Sequence, residues 1–177
     1  MSVKKKVFAI SGSTRQNSSN LQLLRMIAAM SEPVFEVEIF NELGSLPHFN
    51  PDLDGEVVPD AVAKLREKIR EADGVIICTP EYVFSLPGAL KNAIEWTVGS
   101  TVFSEKPMAL ITASGLGQKA HEALQLIMKT IYAQFNERTT LLISGARAKV
   151  KDGVVDEGTS GQIKMLIREF EKLMNGE

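Results

Sequence analysis

The stretch Val7-Phe8-Ala9-Ile10-Ser11-Gly12-Ser13-Thr14-Arg15-Gln16-Asn17-Ser18-Ser19-Asn20-Leu21 decides how this chain is read. Its four leading apolar residues have the character of a buried strand. The next ten carry five hydroxyl side chains, two asparagines and one arginine, after which Leu21, Leu24, Ile27 and Ala28 recur at helical spacing. A strand that feeds a hydroxyl-rich loop and then a helix N-terminus can cradle a phosphate. Backbone N–H groups and the helix dipole favour a dianion, hydroxyls add short hydrogen bonds, and Arg15 supplies fixed positive charge. The loop is not a Walker loop, because no Gly-Lys-Ser/Thr closes it, nor a dinucleotide fingerprint, because Gly12 stands where three glycines are needed. Ser and Asn are also the preferred N-caps of helices, so the same residues suit a plain helix start.

Beyond this stretch, strand and helix patterns alternate. Residues 34–40 alternate apolar and polar, as a strand near a sheet edge does. Residues 41–58, with Gly44, Pro47, Pro51 and Gly55, read as a long surface loop, and 59–72 as a helix opened by Pro59. The run 74–79 is continuously apolar and predicts a central strand covered on both faces. Helices are predicted over 87–98, 118–134 and 162–174, and strands over 107–112 and 139–144. This alternation predicts an α/β fold: a three-layer, flavodoxin-like sandwich with a five-stranded parallel sheet and helices on both faces. Its ligand site lies beyond the carboxyl ends of the strands, at the switch point between strands one and three.

Composition agrees with one domain spanning residues 1–177, long enough to bury a full core. The chain is 44% hydrophobic with net charge −2, which excludes a disordered chain and gives no general attraction to nucleic acid or a membrane surface. Lys4-Lys5-Lys6 reads as a solvated flank before a strand, and nothing argues for export, so a cytoplasmic protein is expected. The single Cys78 sits within a strand pattern and reads as a small buried hydrophobe. With only His48 and His121 there is no metal-ligand cluster. Neither histidine has evident partners, and both read as structural or solvated. Trp96 reads as core or as an oligomer contact.

Two further loops leave the same edge of the predicted sheet. After the central strand come Thr79-Pro80-Glu81-Tyr82-Val83-Phe84-Ser85-Leu86-Pro87-Gly88-Ala89-Leu90-Lys91-Asn92. Pro80 and Pro87 pin the backbone, so the amides between them can meet the edge of a flat heterocycle while Tyr82 or Phe84 covers its face. The same residues also suit a proline-bounded turn before a helix, with Glu81 capping that helix or pairing with Lys91. After strand four come Thr112-Ala113-Ser114-Gly115-Leu116-Gly117-Gln118, whose glycines allow close backbone approach to a ligand or a plain turn. Loops 41–55, 80–86 and 145–155 are candidates to wall the pocket. The last holds Arg147, Lys149 and Lys151, which also suit a solvated face.

Gly12-Ser13-Thr14-Arg15 with Ser18 and Asn20, followed by Pro80-Glu81-Tyr82 with Ser85, Pro87, Gly88, Lys91 and Asn92, resembles the signature of the NADPH-dependent FMN reductase family. That family includes bacterial quinone, chromate and azo-dye reductases. The resemblance implies bound FMN, NADPH or NADH as co-substrate, and hydride passed through the flavin to a small-molecule acceptor by a ping-pong mechanism. It implies a homodimer or homotetramer. By matching position, Ser11, Ser13, Arg15, Ser18 and Asn20, with Thr14 and Ser19 in the same loop, hold the FMN phosphate. Pro80, Glu81, Tyr82, Val83 and Phe84 line the isoalloxazine, and Ser114 and Gly115 close the site. An electron carrier without nicotinamide activity, or a non-catalytic module on the same fold, is the alternative.

The chain departs from the family at two places. Val83 stands where an asparagine often follows Pro-Glu-Tyr, which removes a carboxamide near the ring or nicotinamide. Gly117-Gln118 stands where many members have Gly-Gly. Both departures bear on pyridine-nucleotide use more than on FMN.

Overall fold

Burial ranks the strands before their pairing is considered. In the computed structural model, which describes residues 4–151 and 153–177, β3 (Gly74–Thr79) is buried at every position. Strands β1 (Lys5–Ser11) and β4 (Met108–Ser114) are buried along most of their length, whereas β2 (Phe35–Phe40) alternates and β5 (Thr140–Ser144) is largely half-exposed. The pairing follows that ranking. The sheet order is β2-β1-β3-β4-β5, with every neighbouring pair parallel.

Period-two alternation sends successive side chains to opposite faces. Phe8, Ile10, Val75, Ile77 and Leu110 pack under α2 (Asp60–Glu71), α3 (Gly88–Glu95) and α4 (Gln118–Thr130). Val7, Ala9, Ile76, Cys78 and Ile111 pack under α1 (Ser19–Ser31) and α6 (Glu157–Met174). The chain leaves β1 for β2 on one side and returns to β3 on the other, so a crevice opens above β1 and β3.

Several predicted boundaries move, each for a local reason. The helix expected over 87–98 ends at Glu95, where Trp96 N–H turns to the carbonyls of Asn92 and Ile94. The helix expected over 118–134 ends at Thr130, and Tyr132 enters the left-handed region at φ 61°. The closing helix begins at Glu157, not 162. Asp156 caps it by accepting hydrogen bonds from the Thr159 N–H and hydroxyl, which hold the Asp156 carboxyl below its ordinary range. Gly158 and Gly161 mask that first turn in the sequence. Within 145–155, read as irregular, lie the short helix α5 (Ala146–Lys149) and the hairpin β6–β7 (Val150–Lys151 and Val154–Val155). Asp152 lies outside the described residues.

The 41–58 segment is a loop with short 3₁₀ turns at Leu43–Ser45 and Pro51–Leu53. It is tied to α3 and the residues after it. Asn92 accepts the Phe49 N–H at 2.7 Å and donates to the Pro47 carbonyl at 3.0 Å. Fully buried Trp96 donates to the same carbonyl at 2.7 Å and meets the Phe49 ring edge-on at 5.1 Å, so it is a core residue. Arg66 holds the loop's far end through Asp54.

Candidate active site

The floor of the crevice is set by one close approach. Gly12 N–H donates to the Cys78 carbonyl at 2.8 Å, and a Cβ at Gly12 would lie only 2.9 Å from Thr79 Cα. No side chain fits there without moving β3. Above this point a cavity of about 460 Å³ opens over the carboxyl ends of β1, β3, β4 and β5. The first loop lines it with Ser13, Arg15, Ser18, Ser19 and Asn20, and the second with Pro80, Glu81 and Tyr82. Ala113, Ser114 and Gly115 come from the third, and residues 145–148 from the fourth.

Most of the residues singled out from the sequence therefore meet at one cavity, and several also brace its walls. Ser13 Oγ accepts the Arg15 N–H at 3.3 Å, and Ser18 Oγ caps α1 by accepting the Leu21 N–H at 3.1 Å. Buried Asn20 donates to the Ala113 carbonyl at 3.1 Å and accepts the Cys78 thiol at 3.2 Å, joining α1 to β3 and β4. Four of the named residues do not line the cavity. Ser11 is fully buried in β1, where its hydroxyl donates to the Ser13 carbonyl at 3.2 Å. Thr14 is exposed beside Gly44 of the 41–58 loop. Val83 and Phe84 form an exposed tip.

Glu81 caps a helix, but not the one that follows it. Its carboxylate accepts the Gly117 N–H at 3.2 Å and the Ala120 N–H at 2.9 Å, so it holds the N-terminus of α4. Lys91 pairs with Glu95 instead. The Glu81 N–H also donates to Ser114 Oγ at 3.1 Å, so the second and third loops are clasped through both backbone and side chain. Gly117 permits this clasp with φ +89°.

Tyr82 and Ser85 exchange both backbone hydrogen bonds at 3.0 Å, which closes a two-residue turn. Its central residues, Val83 and Phe84, sit at φ 52° and 54°, the left-handed pair of a type I′ turn. Val83 is 96% exposed and Phe84 70%, while Tyr82, at 48%, lines the cavity. The position where the family often carries asparagine is therefore one that favours asparagine for its backbone.

Two titratable groups below the site are kept out of solution chemistry. Burial pushes the Cys78 thiol far up, leaving it a protonated, inert core residue. His121 is half-buried with Nδ1 3.0 Å from Thr112 Oγ1, and burial lowers its pKa against the weaker pull of Glu122. Neither His121 nor exposed His48 lines the cavity.

Of the loops expected to wall the pocket, 41–55 contributes no residue to the lining, whereas 145–155 does so through Gly145, Ala146, Arg147 and Ala148, joined by Ala113 of the third loop. The one sequence signal for them is an arginine just after a strand end, and Arg147 alone of the three basic residues in 145–155 reaches the lining.

A parallel doubly wound sheet with a cationic, hydroxyl-lined cavity at its switch point defines a nucleotide- or flavin-binding class of protein. Residues 5–147 match the model of the NADPH-dependent FMN reductase family, and the chain belongs to that family. It is 32% identical over 170 residues to the NADH:(hydroxy)cinnamate reductase subunit CrdA of Vibrio ruber, covering 92% of this chain and 83% of that one. Identity to a 2-hydroxy-1,4-benzoquinone reductase of a Burkholderia species is 37% over 112 residues, 62% of this chain and 60% of that protein. The chain thus spans about three-fifths of that relative. The flavoenzyme NAD(P)H:(acceptor) oxidoreductase FerB of Paracoccus denitrificans superposes with a TM-score of 0.80 at 29% identity, over 97% of this chain and 98% of that one.

Proposed function

We propose that residues 1–177 act as one FMN-binding domain that catalyses NAD(P)H-dependent reduction of a quinone, flavin, azo compound or similar small acceptor. The cavity is the observation that carries this reading. Its volume of about 460 Å³ is that of a small-molecule site, lined by hydroxyl and guanidinium groups of the first loop and by Pro80, Glu81 and Tyr82 of the second. Ser13, Arg15, Ser18 and Ser19 at the start of α1 hold the phosphate, with Asn20 keeping that helix in register. Pro80 to Tyr82 flank the ring, and Ser114 and Gly115 close the far side. Ser11, Thr14, Val83 and Phe84 lie outside the lining.

Hydride transfer is the chemistry that bound FMN supplies. The chain's own residues bind and orient. Both Glu81 oxygens already accept backbone N–H groups, and neither histidine lines the cavity. With FMN held along Pro80–Tyr82, nicotinamide and acceptor would use the remaining open side of the cavity in turn, which would give ping-pong kinetics. Relatives named as quinone and FMN reductases support the acceptor class and the nicotinamide co-substrate. No helix among the described residues is long and apolar enough to cross a membrane, which fits a cytoplasmic setting, and we infer a homodimer or homotetramer.

The test is anaerobic. Purified protein is expected to carry FMN, to bleach on addition of NADPH or NADH, and to recover colour with benzoquinone, giving parallel double-reciprocal lines as quinone is varied. A colourless protein that does not take up FMN overturns the reading. Bound flavin that neither nucleotide bleaches replaces it with an electron carrier.

A further inference from the structure

The fourth loop brings a second guanidinium to the cavity. Arg147 sits on α5, and that short helix is held from two sides. Gly145 N–H donates to the Gly115 carbonyl at 2.9 Å, and Ser144 Oγ donates to the Leu116 carbonyl at 2.7 Å, so the turn is stapled to the third loop. On the other side, Ala146 and Val150 are buried in the apolar cluster that contains Leu23, Leu24 and Ile27 of α1. Arg147 is thus carried on a stiff support beside α1, and it lines the same cavity as Ser18 and Ser19 at that helix's start.

Charge gives this placement a purpose. Glu81 is the one carboxylate in the lining, and both its oxygens are engaged by backbone N–H groups. Among the described residues, neither Arg15 nor Arg147 has an ion-pair or hydrogen-bond partner for its guanidinium. A phosphomonoester carries about −1.5 to −2 at neutral pH, whereas a helix N-terminus offers about half a positive charge. One arginine and the helix together offset about 1.5 of that charge, the lower end of the range, and a second arginine covers the fully ionised dianion.

We propose that Arg147 is a second phosphate-binding residue, acting with Arg15 from a different loop on the terminal phosphate of bound flavin nucleotide. The proposal rests on the FMN reading above and makes the site selective for FMN over riboflavin. Its guanidinium serves binding and positioning and takes no part in hydride transfer.

Titration of the flavin-stripped full chain with FMN and with riboflavin, followed by flavin fluorescence, tests this. Arg147→Gln should weaken FMN about tenfold and leave riboflavin unchanged, as Arg15→Gln should, while Arg147→Lys should recover part of the loss. Because Arg147 is exposed, these variants should melt with the wild type. An unchanged FMN dissociation constant, or equal losses for FMN and riboflavin, overturns the proposal. A raised KM for NADPH with FMN affinity intact also overturns it, and reassigns Arg147 to the dinucleotide. Wild-type protein that binds neither flavin is a different failure, because it removes the FMN reading itself.

Discussion

The first loop and the 82–85 turn stand at two margins of the same cavity and are built on opposite principles. In the first, buried polar groups shape the backbone: Ser11 bonds to the Ser13 carbonyl, Ser18 caps α1, and Asn20 ties α1 to β3 and β4. In the second, the side chains of Val83 and Phe84 do nothing to hold the turn. The Tyr82–Ser85 hydrogen bonds, between two prolines, force both residues to positive φ while leaving them exposed. A β-branched residue in that conformation costs about 1–2 kcal/mol. One region is rigid because its residues fit it, and the other although a residue does not. Strain of this kind gathers at binding sites, where the surrounding structure over-determines it.

The sharpest way to break the contrast is Gly12→Ala. The new methyl would meet Thr79 backbone at 2.9 Å, so β3 must shift beneath both regions. We expect a loss of about 3 kcal/mol, read as a lower urea midpoint, together with weakened flavin binding. Wild-type stability in this variant would show that the floor of the crevice yields.

Glu81→Ala removes the clasp between the second and third loops. Loss of the α4 cap should cost about 1–2 kcal/mol. Hydrogen exchange should rise at Gly117 and Ala120, which lose their acceptor, but not at Leu21, which Ser18 still caps. Faster exchange at both sites would mean that the two regions are one unit.

Val83→Asn acts with the opposite sign. It should raise stability by about 1 kcal/mol, shifting Tm up by about 2–4 °C, because asparagine tolerates the left-handed region. FMN affinity should hold, since the side chain at 83 lies outside the cavity, while nicotinamide use or acceptor preference is expected to change. Loss of FMN in this variant would place the side chain under the ring.

The smallest effect is in pH. His121 has a lowered folded pKa because it is half-buried, so the unfolded chain binds its proton more readily. Stability from this residue is full above the unfolded value near 6.5 and declines as pH falls below it. The difference in Tm between pH 7.5 and pH 5.5 should shrink by about 1–2 °C in His121→Gln. An unchanged difference would assign the acid loss elsewhere.

How much of this was legible in the chain follows from the range of each signal. The β1–loop–α1 unit and the apolar run 74–79 were readable because period and capping are properties of neighbouring residues. Their alternation with helices was enough to predict a parallel sheet and its switch point. Most of the first-loop residues that line the cavity could be named for the same reason, though Ser11 and Thr14, also named, lie outside it. Helix ends at Glu95, Thr130 and Glu157 were not readable, because the turns at Trp96 and Tyr132 leave no mark on the apolar period and glycines in a first turn mask the start at Glu157.

Within one loop, residue type and spacing pointed to side chains that line the cavity: Ser13, Arg15 and Ser18 from the first loop, Pro80 and Tyr82 from the second. Only the tertiary structure decided the relations between loops. It gave the Glu81 carboxylate to α4, separated by 36 and 39 residues from its backbone donors, and turned Asn20 toward Ala113 across 93 residues. It brought Arg147 into the cavity that Ser18 and Ser19 line, and placed position 83 at positive φ on an exposed tip. Hydrogen bonds and charge act over a few ångströms, and sequence separation carries no record of which distant groups the sheet order places within that reach.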